Sequence, residues 1–274
     1  MIKNKRWTLA VAFAAALLVA LVLGGCRPAV TPTPTPEVEE VGYANPQLLV
    51  ETDWLAEYLD DPNVRIVDVR ATEKYQEGHI RNAVNLVVSD PKGPFYDQDH
   101  PVKWMILPQE RFEALTGELG IGNDTTVVAY DDARGLWAAR LFWALEYYGH
   151  KKARVLNGGL KKWEAEGREL TQEVPEIAKT TYSAEPDPSK YATKELILDR
   201  LGKEGTVIVA TISEAEYTGE KKYSKRGGHI PGAIRIDWVE NLTQEDVPVF
   251  RSAAELTKLY EGAGVTKDKE VILY

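Results

Sequence analysis

The stretch TVVAYDDARGLWAAR, residues 126–140, sets an apolar run against an abrupt polar loop and then a segment of helical spacing. Val127, Val128, Ala129 and Tyr130 are too few, and too β-branched at their start, for a helix, so they predict a buried strand. Trp137, Ala138, Leu141, Phe142 and Leu145 recur every three or four residues and share one helical face, with Gly149 as a natural stop. Between them Asp131, Asp132, Ala133, Arg134, Gly135 and Leu136 form a loop at the carboxyl end of a strand that feeds a helix. Ligands of open α/β sheets gather there, because unpaired helix N–H groups and the helix dipole favour an anion or a thiolate. The residue at the mouth of this loop is Asp131.

Working outward, the same element begins again near the end of the sequence. Residues 264–274 line up with residues 120–130 at a constant offset of 144, which pairs Tyr274 with Tyr130. Ile66-Val67-Asp68-Val69-Arg70 matches Ile208-Val209-Ala210-Thr211-Ile212 at an offset of 142, and Gly78-His79-Ile80 matches Gly228-His229-Ile230 at 150. The rise from 142 to 150 places eight extra residues in the second copy, around residues 219–225. Apolar runs at 64–69, 83–88, 127–130 and 153–156 alternate with helical signals at 52–59, 72–75, 108–119, 136–148 and 160–163, with Thr52 or Asp53 expected to cap the first helix. Strands alternating with helices imply an α/β fold: two tandem domains, each a small, mainly parallel sheet with helices on both faces.

The chain has 274 residues, 44% hydrophobic and 27% charged, enough for two ordinary domains. A net charge of −9 argues against nucleic acid, whose phosphates need a basic face. Cys26 is the only cysteine, so no intramolecular disulfide can form, and the four histidines lack metal-ligand spacing. No metal and no cofactor are expected. Leu156-Asn157-Gly158-Gly159 is a glycine turn without the spacing of a dinucleotide or phosphate-binding fingerprint.

Lys3, Lys5 and Arg6 precede an apolar run over residues 9–23 and then Leu23-Gly24-Gly25-Cys26, the parts of a secretory signal. Leu-Gly-Gly-Cys resembles the bacterial lipobox, which makes Cys26 the expected lipid anchor and places the rest outside the cytoplasm, at the cell envelope. Residues 27–46, with TPTPTP and then acidic residues, read as an extended tether. The expected organisation is a signal peptide at 1–26, the tether at 27–46, a first domain at 47–172, a proline-bearing linker at 173–192 and a second domain at 193–274.

The order and spacing of Asp68-Val69-Arg70, Gly78-His79-Ile80, Tyr130-Asp131-Asp132, Asn157-Gly158-Gly159-Leu160 with Trp163, and Gly228-His229-Ile230-Pro231-Gly232-Ala233 resemble the tandem rhodanese domains of thiosulfate and 3-mercaptopyruvate sulfurtransferases. The resemblance covers residues 47–274. It implies that only the second domain is catalytic, through a cysteine directly after Tyr274. That cysteine would attack the sulfane sulfur of thiosulfate, the preferred donor, or of 3-mercaptopyruvate, and pass it as a persulfide to a thiol or cyanide. A carboxylate cannot carry transferable sulfur, so Asp131 marks the non-catalytic copy. Because the sequence reaches Tyr274 where the second loop is expected to begin, the second domain is expected to be incomplete and the 274-residue chain inactive. Arg226 and Arg235, which flank the second Gly-His-Ile motif, are the candidate side chains for an anionic donor. Ala210 and Ile212 depart from the pattern set by Asp68 and Arg70. A catalytically inactive module that binds anions or proteins is the alternative, and a monomer is expected.

Overall fold

Residues 42–274 are described by the computed structural model. The expected signal peptide, Cys26 and nearly all of the tether lie outside the described residues. In chain order the elements are β1 (Leu49–Val50), α1 (Thr52–Glu57), β2 (Val64–Asp68), α2 (Thr72–Glu77), β3 (Ala83–Asn85), α3 (Gln109–Glu118), β4 (Thr126–Tyr130), α4 (Leu136–Tyr147), β5 (Ala153–Leu156) and α5 (Gly159–Ala165). A second series follows with α6 (Lys194–Arg200), β6 (Thr206–Ala210), α7 (Glu214–Thr218), β7 (Ile234–Arg235), α8 (Ala253–Gly262) and β8 (Glu270–Leu273). Every strand pairing is parallel.

The first sheet runs in the order β1-β5-β4-β2-β3 and the second β7-β6-β8. Read from the other edge, β8-β6-β7 repeats the order β4-β2-β3. Register carries the repeat to single residues: Ile66 lies opposite Val128, and Ile208 opposite Ile272, the positions the offsets of 142 and 144 assign. This chain is therefore built from two copies of one α/β unit.

Alternation along the strands divides the first repeat's core in two, because successive side chains point to opposite faces. Val67, Val127, Ala129 and Val155 pack with Phe112, Leu141 and Leu145 on one face. Ile66, Val128, Tyr130 and Leu156 pack with Leu55 and Trp163 on the other. In the second repeat the buried cluster is Ile208, Ala233 and Ile272, with Leu196, Ile197 and Tyr274 packed against it.

Two local expectations change. Neither Thr52 nor Asp53 is the N-cap of α1; Glu51 holds that position, and Thr52, one residue inside the helix, is buried. The run at 83–88 pairs as a strand only to Asn85, after which the N–H groups of Leu86 and Val88 reach the carbonyls of Asp68 and Val69. The stretch at 173–187 carries no helix or strand and lies along the first repeat. Thr180 N–H donates to the Gly117 carbonyl at 3.0 Å, Tyr182 Oη to that of Tyr148 at 3.0 Å, and Asn123 exchanges two bonds with the Ser183 backbone. Tyr182 and Ala184 are buried in the first repeat's core.

Candidate functional site

The loop after β4 wraps around its own first side chain. Asp131 is 1% exposed, and its carboxylate accepts four backbone N–H groups. Ala133 and Gly135 donate to Oδ1, each at 2.8 Å, and Trp137 and Ala138 donate to Oδ2 at 2.8 and 3.0 Å. Left-handed backbone at Arg134 (φ 64°) and Gly135 (φ 85°) turns the N–H groups inward, while the first turn of α4 supplies donors that have no partner within the helix. Four convergent donors at a helix amino terminus make a cradle for negative charge, and here a carboxylate of the chain fills it. The loop is backed by Gly159, whose φ is 55°; a Cβ there would sit 2.5 Å from the Asp131 carbonyl oxygen, so only glycine fits.

Beside the loop, Asp68 at the end of β2 is fully buried and gathers a network. Arg70 donates to both its oxygens, from Nε at 3.0 and 3.1 Å and from Nη2 at 2.6 Å, and Nη2 also donates to the Gly78 carbonyl at 2.7 Å. Tyr130 Oη donates to Asp68 Oδ2 at 2.7 Å and accepts Ile80 N–H at 3.1 Å. Burial, then the adjacent Asp68 carboxylate, hold the Tyr130 phenol far above its ordinary value, so the hydroxyl stays a donor. Burial pulls Arg70 downward, but its bonds to Asp68 outweigh this and raise it. His79 stacks on Tyr75 at 3.7 Å between ring centroids, with Nδ1 2.8 Å from the Tyr75 carbonyl oxygen, and fixes the turn before β3. A cavity of about 270 Å³ opens here, lined by Arg70, Lys74, Gly78, Asp132, Lys161 and Glu164 among others.

The second repeat rebuilds this frame around Tyr274. Its hydroxyl accepts Ile230 N–H at 2.9 Å, as that of Tyr130 accepts Ile80 N–H, and its carbonyl accepts Thr211 N–H at 2.8 Å, as that of Tyr130 accepts Val69 N–H at 3.1 Å. Tyr217 stacks on His229 at 3.7 Å and donates to the Ala233 carbonyl at 2.7 Å, matching Tyr75 on His79 and its 2.8 Å bond to the Ala83 carbonyl. The acidic and basic pair is missing: Ala210 and Ile212 stand where Asp68 and Arg70 stand in the first copy. Tyr274 thus stands where Tyr130 stands, one residue ahead of Asp131, in the first copy.

Of the two candidate arginines, Arg235 on β7 is held by three carboxylates, those of Glu214 at 2.8 Å, Glu240 at 3.1 Å and Asp237 at 3.8 Å. Arg226 lies in the exposed loop before Gly228 and has no ion pair among the described residues. Cys26 lies outside the described residues. No group of three His, Cys, Asp or Glu side chains is placed to hold a metal among the described residues.

The sequence shows Asn157 only as part of a glycine turn, yet its side chain bridges the two repeats. Its Nδ2 donates to Glu51 Oε1 at 2.7 Å and its Oδ1 accepts Phe250 N–H at 2.9 Å, so a side chain of the first repeat holds the loop ahead of α8 in the second. Tyr43 adds a bond to the Arg251 carbonyl at 2.5 Å. The only signal was an asparagine ahead of two glycines, which a tight turn already explains.

A family model described as a rhodanese-like domain matches residues 51–166. The sulfur carrier protein TtuD of Thermus thermophilus is 40% identical over 247 residues, covering 85% of this chain and 84% of that protein. The chain belongs to the rhodanese family. A thiosulfate sulfurtransferase of Azotobacter vinelandii is 34% identical over 232 residues, with 85% of this chain and 83% of the relative covered. The crystal structure of SseA from Escherichia coli, a 3-mercaptopyruvate sulfurtransferase, matches with a TM-score of 0.73 at 28% identity, over 82% of this chain and 87% of that one. The rhodanese fold and sulfurtransferase relatives agree with the two α/β repeats and with a loop built to hold negative charge.

Proposed function

We propose that this rhodanese pair is the frame of a sulfurtransferase whose nucleophile is a cysteine directly after Tyr274. The observation that carries the reading is the Asp131 cradle, seen beside the equivalence of Tyr130 and Tyr274. In the first repeat four N–H groups converge on the side chain one residue beyond the tyrosine. The same loop in the second repeat would stabilise a thiolate at that position and lower its pKa. The thiolate attacks the outer sulfur of thiosulfate, the S–S bond breaks, and sulfite leaves with the bonding electron pair. An acceptor thiolate or cyanide then attacks the outer sulfur of the persulfide, and the cysteine leaves as thiolate. With 3-mercaptopyruvate as donor the leaving group is the carbanion of pyruvate, protonated as it departs. Thiosulfate is preferred, on the names of several relatives, and the relative named a sulfur carrier supports a protein thiol among the acceptors.

The loop nucleophile is not among the 274 residues, so the chain as written is proposed to be inactive. The lipobox-like Leu23-Gly24-Gly25-Cys26 supports attachment through Cys26 at the outer side of the membrane, as a monomer. One observation favours an inactive binding module instead: Ala210 and Ile212 strip the second repeat of the pair that braces the first. The deciding test is a thiosulfate-to-cyanide assay on the full product of the natural reading frame. Thiocyanate formation that disappears when the residue after Tyr274 is changed to serine supports the enzyme. No thiocyanate from a folded full product gives the module reading its place.

A further inference from the structure

The eight extra residues of the second repeat form an exposed loop with Lys221, Lys222, Lys225 and Arg226 against a single carboxylate, Glu220. None of these four cations makes an ion pair among the described residues, while Arg81, Arg111, Arg168, Arg200 and Arg235 are all paired. An unneutralised basic patch on a chain of net charge −9 is a local reversal of sign. Tyr223 is 76% exposed at its centre, with Lys221 Nζ 4.8 Å from the ring centroid.

The loop is pinned at its neck. A Cβ on Gly227 would come within 2.9 Å of the Gly219 carbonyl oxygen, so the two strands of the neck press backbone to backbone. Lys221 N–H donates to the Ala215 carbonyl at 2.8 Å and Ser224 Oγ to the Arg226 carbonyl at 2.6 Å. Its position follows from the repeat. Gly78 lines the 270 Å³ mouth beside Asp132 and Arg70, and Gly228, which takes the place of Gly78, is where this loop ends and the repeat resumes. By the repeat offset Ile212 and Glu216 stand where Arg70 and Lys74 line the first mouth, so that wall's positive charge is missing in the second repeat and the cations stand instead in the loop ahead of Gly228. Four spread cations with an outward aromatic ring exceed what one small dianion can engage; they suit an extended acidic surface.

We propose that residues 220–226 are the docking platform for an acidic protein whose thiol receives the sulfur. The proposal rests on the sulfurtransferase reading, but its test is binding, which needs no turnover. The probe is a fluorescein-labelled peptide with serine in place of the acceptor cysteine, flanked by Asp and Glu; an Asn/Gln peptide of equal length is the control. With the 274-residue chain, fluorescence polarisation should show the acidic peptide bound. Its affinity should fall about tenfold as salt rises from about 0.01 M to about 0.15 M, where the screening length shrinks from about 30 Å to about 8 Å. The K221E/K222E/K225E/R226E variant should bind it about tenfold or more weaker, and Tyr223→Ala should weaken it as well. A fourfold Gln variant with an unchanged circular-dichroism melt keeps the test valid if charge reversal disturbs folding. Unchanged peptide binding by these variants overturns the proposal. Binding of wild type to phosphatidylglycerol vesicles but not to the peptide also overturns it and makes the patch a lipid contact. Loss of thiocyanate formation in the full product, with peptide binding intact, would strike the enzyme reading alone.

Discussion

Asp131 is one residue with two consequences. Its carboxylate meets four N–H donors with 1% exposure, so removal leaves buried donors without an acceptor. Asp131→Asn puts an amide NH2 against two of them and should destabilise by about 3 kcal/mol, read from urea midpoints. Asp131→Ala opens the cradle instead, and its midpoint should rise with added sulfate while that of the parent does not. His150 behaves differently. It is buried, its Nε2 lies 2.9 Å from the Thr125 carbonyl oxygen, and its Nδ1 has no hydrogen-bond partner among the described residues. Burial holds its pKa below the ordinary value. Unfolded, it takes up a proton near pH 6.5, while folded it resists to lower pH. The stabilisation is therefore complete above about pH 6.5 and declines as the pH falls below it. A His150→Gln variant should lose less stability than the parent between about pH 7.5 and about pH 5.5. The sequence placed Asp131 at the loop mouth, because a strand, a turn and a helix can be read from periodicity. That its oxygens take four backbone donors depends on loop dihedrals, which leave no periodic trace.

Among the elements, the ends of β2 and β6 make the sharpest contrast. Asp68 and Arg70 are 0% and 6% exposed and satisfy each other, Tyr130 and the Gly78 carbonyl. Asp68→Ala would strand a buried guanidinium and should cost about 3–5 kcal/mol, whereas Asp68→Ala with Arg70→Ile, the pair that β6 already carries, should cost far less. Urea denaturation of the two single variants and the double variant measures this as a cycle. The strands and helices were legible because each has a face that repeats at two or at 3.6 residues. The stretch at 173–187 was not: its contribution to the core is Tyr182 and Ala184, and its bonds go to distant backbone groups such as Gly117 and Tyr148. Tyr182, Ala184 and the half-buried Ile177 share no period, so the stretch reads as a linker while lying along the first repeat.

Over the whole molecule the described residues fall in one compact unit, and Asn157 and Tyr43 join its halves. Asn157→Ala should speed hydrogen exchange at the Phe250 amide with little change in exchange within β4, since the lost bond crosses between repeats. The halves differ in the core they bury: two large clusters in the first, and in the second one small cluster centred on Ile208, Ala233 and Ile272. Limited proteolysis of the 274-residue chain should therefore leave fragments near residues 47–187 and cut beyond residue 190 first; equal survival of both halves would contradict this. The strand order common to both sheets was foreshadowed by the offsets of 142 and 144, but no offset announces the bond from Asn157. Asp131 also has a meaning in the currency of competition. Being part of the chain, it faces its cradle at an effective concentration of at least ~1 mM, and no ion of the medium can match it when dilute. The first repeat is thus a receptor sold with its occupant, deaf to the anions around it, and any response of this molecule to such ions must be sought in its other half.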